Sequence, residues 1–314
     1  MTANAVGVPK LLLCVYFGAC LSACASHAPA PAPAAPPAPV ASAEPPPKPL
    51  QIAGDPNGLW WDERSQTLYL ADDDANRILT WNESKGFGLF KQLPGDSPHG
   101  AGLGQLVLTP DGTLVVTRFG HGSAGDIALV PPNGEPAVIP NLDPERRRIG
   151  LTVTADGRLF DVWFEKKEDG PRVGSVGSLS LTGTETAIVA GLKKPVGVLA
   201  LGDKLYVSDQ EMGAILVAPL AQPAPMTVFS HLASPDLLAA GPNGSLLTGG
   251  AGGVLYRVNA NGTAIVIKNG FHQIRGVAYD AAHHRAFVAD HAGNDREGEA
   301  NAAAEHFVYV VPIP

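Results

Sequence analysis

From residue 50 onward one short pattern returns six times. Apolar segments open at Asn57-Gly58-Leu59, Gly102-Leu103, Gly150-Leu151, Gly197-Val198, Asp236-Leu237 and Gly276-Val277. The anchors at 58, 102, 150, 197, 237 and 276 lie 44, 48, 47, 40 and 39 residues apart. A β-rich repeat of this length is the sequence sign of a propeller, whose units bury their apolar faces against their neighbours.

The order inside each unit is constant. A short apolar strand leads into a turn such as Pro110-Asp111-Gly112, Ala155-Asp156-Gly157 or Pro242-Asn243-Gly244. These pairs supply the positive φ that tight hairpins need. A second strand follows, as in Leu68-Tyr69-Leu70-Ala71-Asp72, Leu205-Tyr206-Val207-Ser208-Asp209 and Ala286-Phe287-Val288-Ala289-Asp290. Third strands read Arg77-Ile78-Leu79-Thr80-Trp81 or Val254-Leu255-Tyr256-Arg257-Val258, and a fourth closes most units. The expected fold is all-β: a six-bladed β-propeller over residues 50–314 with four-stranded blades. Phe307–Val311 is expected as the third strand of the last blade. Leu50-Gln51-Ile52-Ala53 would be its outer strand, so that the N-terminal strand closes the ring and removes exposed edges. The 36 Gly and 29 Pro agree with a turn-rich chain. A β-sandwich needs fewer strands and leaves the six anchors unexplained.

All three cysteines precede this body, at 14, 20 and 24, so no disulfide or Cys-metal framework is available to it. Residues 11–20 form an apolar run behind Lys10 that is too short to span about 30 Å of hydrocarbon. It fits the core of a secretory signal peptide. Leu21-Ser22-Ala23-Cys24 is similar to the lipobox of bacterial lipoproteins, which implies a signal peptide over 1–23 and a lipidated Cys24. The plain alternative is an ordinary cleaved signal ending near Ala25. With Ala25, not Asp, after the cysteine, the resemblance implies the outer membrane of the cell envelope. Residues 25–49 are almost wholly Ala and Pro, an extended stalk that cannot bury a core. A net charge of −8 excludes a basic nucleic-acid surface. A monomer is expected.

The stretch 68–81, with Asp72, Asn76-Arg77-Ile78-Leu79 and Trp81, together with the Asn-Gly strand entry, resembles six-bladed propellers of the gluconolactonase/regucalcin and NHL-repeat type. The resemblance covers residues 50–314. For the gluconolactonase group it implies a divalent ion, often calcium, at the channel mouth. The ion is held by a Glu, two Asn and an Asp at strand entries, and it polarises a lactone carbonyl and a water. Carried over by position, Asn57 stands for the Glu, Ile149 and Val196 for the two Asn, and Asp236 matches the Asp. A register one residue different offers Arg148 or Pro195, neither a ligand. Asn57 and Asp236 alone would make a poor calcium site, so lactonase activity does not carry over with the fold.

The six ring positions read from the sequence are Asn57, residue 101, Ile149, Val196, Asp236 and Arg275. Asp236 and Arg275 either pair as a channel plug or recognise a small polar ligand, with Asp236 as a possible general base. Loops after the second strands add Asp72, Asp73, Asp74, Arg118, His121, Glu165, Asp209, Glu211, Asp290 and His291. The triplet at 72–74 is a cation site or a solvated turn. His99 and His121 are catalytic assistants or ordinary surface histidines, and Arg118 is a further ligand-binding candidate. Residues 165–177 and 291–305 read as charged insertions, either partner-binding loops or plain surface. No Gly-x-Ser-x-Gly elbow is present in a strand-to-helix context; Gly174-Ser175-Val176-Gly177-Ser178 reads as loop. Three functions remain open: binding of a small molecule at the mouth, metal-assisted hydrolysis of a lactone or ester, and docking of another envelope protein.

Overall fold

The computed structural model describes residues 49–73, 75–95, 102–166, 170–291 and 306–314. Residues 1–48, on which the expected signal peptide, the lipidated Cys24 and most of the expected stalk fall, lie outside these, as do Asp74, His99, residue 101 and residues 292–305. The described chain forms six sheets, each of four antiparallel strands. The first strands are Pro56–Asp62, Leu103–Leu108, Arg147–Val153, Pro195–Leu201, Leu238–Ala240 and Ile274–Asp280. They touch one another in a closed circle and line the axis. Five sheets take four consecutive strands. The sixth joins both ends of the described chain, with Leu50 opposite Val308 and Gln51 opposite Phe307. Helical structure among the described residues is confined to two 3-10 turns, Gly120–Gly122 and Pro242–Gly244.

The recurring glycine has a packing cause. A Cβ on Gly58 would lie 2.3 Å from the carbonyl oxygen of Gly104, and one on Gly276 would lie 2.1 Å from that of Asn57. No side chain fits where neighbouring first strands approach this closely. The same contacts fix the register. Asn57, Gly104, Ile149, Val196 and Asp236 each present a carbonyl to the preceding blade. Blade two therefore contributes Gly104 to the ring, not residue 101. Gly102 resembles an anchor in the sequence, but Gln105 occupies the position of Gly58. A bulge between Leu103 and Leu106 matches those between Pro56 and Leu59, Arg148 and Leu151, and Ile274 and Val277, which aligns Leu106 with Leu59.

The apolar cores lie between blades. Leu59, Leu68 and Leu70 of blade one pack with Phe287, Ala289 and Val308 of blade six, and Trp61 stacks on Phe287 at 5.0 Å. Ala71 and Ile78 face Leu103, Leu106 and Val116 of blade two. Of residues 165–177, Glu165, Lys166 and 172–177 are strand, not loop. Leu159–Lys166 and Arg172–Leu179 pair without a break from Leu159–Leu179 to Lys166–Arg172, so the charged stretch extends a hairpin. Gly174 to Ser178 accordingly lie in a strand, where the partner strand overrides their weak β propensity.

Blade three carries a buried ionic group. Arg148 is fully buried and donates to Asp161 at 2.7 Å and to Glu185. Arg146 also binds Glu185 and covers the Trp163 ring at 3.9 Å. Arg148 thus packs inward as a structural cation, and Ile149 takes the ring position. Removing one partner of such a group strands the others. Arg148→Met is expected to lower unfolding free energy by roughly 3–5 kcal/mol, seen as a lower urea midpoint. Arg158→Met, which breaks the exposed pair with Asp156 at 3.0 Å, should leave that midpoint essentially unchanged.

Candidate functional site

Three buried carboxylates shape the entrance to the channel. Asp72, Asp209 and Asp290 end second strands and are fully buried. Each accepts main-chain N–H groups from the loop that enters its own blade. Asp72 Oδ1 takes the N–H of Asp55 at 2.9 Å. Asp209 takes those of Lys193 and Lys194 at 2.8 and 3.1 Å, and also those of Glu211 and Met212. Asp290 Oδ1 takes His272 and Gln273, both at 2.9 Å. These residues hold the loops and do not face a ligand.

The loops so fixed place side chains over the ring in two sets. Asp55, Lys194 and Gln273 each stand two residues before a ring residue, on the same side of an extended chain. Asp73, Gln210 and His291 each follow a clamping carboxylate. All but Asp55 line one cavity of about 430 Å³ at the mouth, with Asn57, Gly104, Ile149, Asp236 and Arg275 from the ring and Phe119 and His121 from blade two. The other end of the channel differs: Leu59, Val107, Leu151, Leu199 and Val277 are among the residues lining a mostly apolar cavity of about 220 Å³.

Asp236 is the acid of the ring. Its Oδ1 accepts the N–H of Leu237 at 2.9 Å, and its Oδ2 accepts Gln210 Nε2 at 3.2 Å. Ser208 and Thr248 hydroxyls donate to its carbonyl at 2.8 and 3.2 Å. Burial pushes its carboxyl up to about 6, against the downward pull of Arg275, the Leu237 N–H, Lys194 and Gln210. Arg275 acts through space, since no ion pair within 4 Å joins it to Asp236 among the described residues. Arg275 Nε is buried without a hydrogen-bond partner. Burial, with Arg172 and Arg275 nearby, lowers the Lys194 ammonium below its ordinary value. The cavity therefore holds two cations whose partner groups are not supplied by an ion pair among the described residues.

Of the residues singled out from the sequence, Asn57, Asp73, His121, Ile149, Asp236, Arg275 and His291 meet in this cavity. His121 adopts φ 52° within its turn, and its ring meets Phe119 edge-on at 5.1 Å. Arg118 does not line the cavity. It occupies the blade-two counterpart of Asp72, 7% exposed, and binds Asp126 at 3.1 Å and the Pro94 carbonyl. Asp73 Oδ1 accepts the N–H of Leu103 at 2.7 Å. Glu165 and Glu211 pair with Arg146 and Arg172. Lys194, Gln210 and Gln273 were not singled out from the sequence. Their signal was positional, two before a ring residue or one after a clamp.

The ring does not suit calcium. That ion takes six to eight oxygens, whereas the inherited positions offer Asn57 and Asp236 beside the hydrocarbon of Ile149 and Val196. A different donor set stands at the rim. Asp55, His291 and His306 place one ligand atom each within 4.8 Å of one another.

No family model matches the chain, and no curated protein matches it. Solved structures do. A luciferin-regenerating enzyme superposes with a TM-score of 0.67 at 16% identity, over 85% of this chain and 95% of that one. Regucalcin, a calcium-binding protein from Agrobacterium tumefaciens strain C58, gives 0.63 at 16%, over 83% and 92%. A gluconolactonase from Xanthomonas campestris gives 0.64 at 17%, over 84% and 88%. The likeness is one of fold.

The raised Asp236 pKa has a stability consequence of definite sign. Between about pH 4 and pH 6 the folded chain keeps a proton that the unfolded chain has lost, so stability falls as pH rises through that window. Two units at about 1.36 kcal/mol each give about 3 kcal/mol. Chemical denaturation from pH 4 to 8 should show this component in the wild type and its loss in Asp236→Asn.

Proposed function

We propose that the channel mouth binds a small, oxygen-rich anionic molecule, such as a sugar acid. The observation that carries this reading is the pairing of Lys194 and Arg275 in one cavity, with a buried, unpartnered Nε on Arg275. A carboxylate there would receive charge-assisted hydrogen bonds. Gln210, Gln273 and Asn57 supply neutral donors and acceptors for hydroxyl groups. Titration calorimetry with an aldonate is the test. Arg275→Ala should weaken binding roughly 10- to 100-fold, the effect of losing a charged hydrogen bond. Equal affinity in wild type and Arg275→Ala, or no binding of any aldonate or related sugar acid, would refute the reading.

Asp236 supports a second reading, hydrolysis of the corresponding lactone or ester. An acid that titrates near 6 is suited to act as a general base at neutral pH. Ionised Asp236 takes a proton from water as the water oxygen bonds to the carbonyl carbon. The carbonyl electron pair moves to oxygen, where Arg275 and Lys194 stabilise the developing charge. The ring C–O bond then breaks, and the proton passes from Asp236 to the departing alkoxide, leaving a hydroxy acid. This route expects lactone turnover that rises through about pH 6 and disappears in Asp236→Asn. Binding without turnover on a lactone panel would leave the protein a receptor and not an enzyme.

We place the propeller on the bacterial cell envelope, held by lipid on Cys24 at the outer membrane. The support is the Leu21-Ser22-Ala23-Cys24 sequence and the Ala/Pro stalk behind it. Several acyl chains give the stable anchoring that one chain does not. Cell fractionation should find the wild type in the outer membrane and Cys24→Ala released from it. A Cys24→Ala product that stays membrane-bound would remove the lipoprotein assignment.

A further inference from the structure

The geometry points to a transition-metal site, of the kind that holds zinc, formed by Asp55, His291 and His306 beside the mouth. It is distinct from the ring positions that hold calcium in the resembled family. Its donors come from places that the fold brings together firmly. Asp290 pairs with Phe307 across the last hairpin, so His291 and His306 are the next residues out on the two strands. Their rings lie 5.0 Å apart at 30°. Asp55 faces them from the loop into blade one. Its N–H is held by Asp72, and its carbonyl accepts the N–H of Asp73 at 2.8 Å.

The donor atoms are close to a ligand set. Asp55 Oδ1 is 2.6 Å from His291 Nδ1 and 3.4 Å from His306 Nδ1. Ligand atoms about 2.0–2.1 Å from a tetrahedral zinc stand about 3.4 Å apart. The second separation already has that value, and the first is a hydrogen bond whose shared proton a metal replaces. All three side chains are about nine-tenths buried, at 8%, 12% and 11% exposure.

As a hydrogen-bonded cluster the group is incomplete. His291 uses the carboxylate, while His306 Nδ1 is buried with no hydrogen-bond partner. A buried nitrogen left so has given up its bond to water without a replacement. An ion supplies what it lacks. Two imidazoles and one carboxylate suit zinc and its neighbours in the first transition row, not calcium or magnesium. Three protein ligands leave a fourth tetrahedral position for water or a ligand oxygen. His291 also lines the cavity of Asp236 and Arg275, so the metal would stand at the wall of that cavity.

The test is zinc content and affinity of the full chain, with Cys14, Cys20 and Cys24 replaced by Ser so that no thiol competes. About one zinc per chain should survive dialysis, and cobalt in its place should give the visible absorption of a tetrahedral site. His306→Ala should weaken zinc binding by more than about 100-fold, beyond what loss of a mere supporting hydrogen bond costs. His283→Ala, which alters a histidine paired with Asp280 at 2.7 Å, should leave it unchanged, and circular dichroism reports whether each variant is folded. Arg275→Ala should also keep its zinc, which separates this site from the ligand reading. Absence of stoichiometric zinc in the wild type, undiminished binding in folded His306→Ala, or equal loss in His283→Ala would overturn the assignment.

Discussion

The mouth of this propeller depends on carboxylates that never face a ligand. Asp72, Asp209 and Asp290 sit at zero exposure and take up the free N–H groups of three entry loops. A main-chain N–H buried without a partner is costly, and an ionised carboxylate is a strong acceptor for it. The loops therefore have one favoured path, and that path puts Asp55, Lys194 and Gln273 above the ring. Blade two solves the problem with opposite charge: Arg118 donates to the Pro94 carbonyl. Residues that look functional because they are charged and recur at strand ends are, at these four places, supports for the residues beside them.

The second constraint lies on the axis. First strands approach so closely that Gly58 and Gly276 have no room for a Cβ. Six strands packed this tightly give each ring residue little freedom, so the chemistry of the mouth follows from which residue stands at each position. Hydrocarbon at 149 and 196 and a bare Gly at 104 leave one half of the ring inert. Asn57, Asp236 and Arg275 are the polar remainder, and they lie on consecutive blades five, six and one. A polar arc against an apolar arc would orient the proposed ligand, its charged end toward Arg275 and Lys194 and its less polar edge toward Ile149 and Phe119.

The fold was legible because it is periodic. Six anchors, alternating apolar strands and Asp-Gly or Asn-Gly turns all say the same thing. What escaped was local. Gly102 stands two residues before the true ring glycine, and only the contacts between neighbouring first strands reveal the offset. Residues 165–177 look like a loop by composition, but pairing across the hairpin decides their state. Asp236 and Arg275 were found because they occupy ring positions. Lys194 and Gln273 were passed over although the two-residue period of a strand puts them on the same side. His306 could not be reached by any such rule. It becomes a neighbour of Asp55 only through the register of the last hairpin and the meeting of the two ends of the propeller in one sheet.

That meeting bears on how a conserved architecture can change its chemistry. A propeller fixes its axis by backbone packing, so the fold does not depend on which side chains stand at ring positions, and Ile149 and Val196 place hydrocarbon there. The entry loops are held independently, by the carboxylate clamps, and can acquire donors of their own. At the seam between first and last blades the loop at Gly54 and Asp55, tied to Asp72 and Asp73, lies against the paired strands that end at His291 and begin after His306. Asp55, His291 and His306 stand where the two ends of the described chain share a sheet, one step outside the ring positions. Two nitrogen donors and a carboxylate there suit a different class of ion from oxygen donors on an axis, with Asp236 close by in the same mouth.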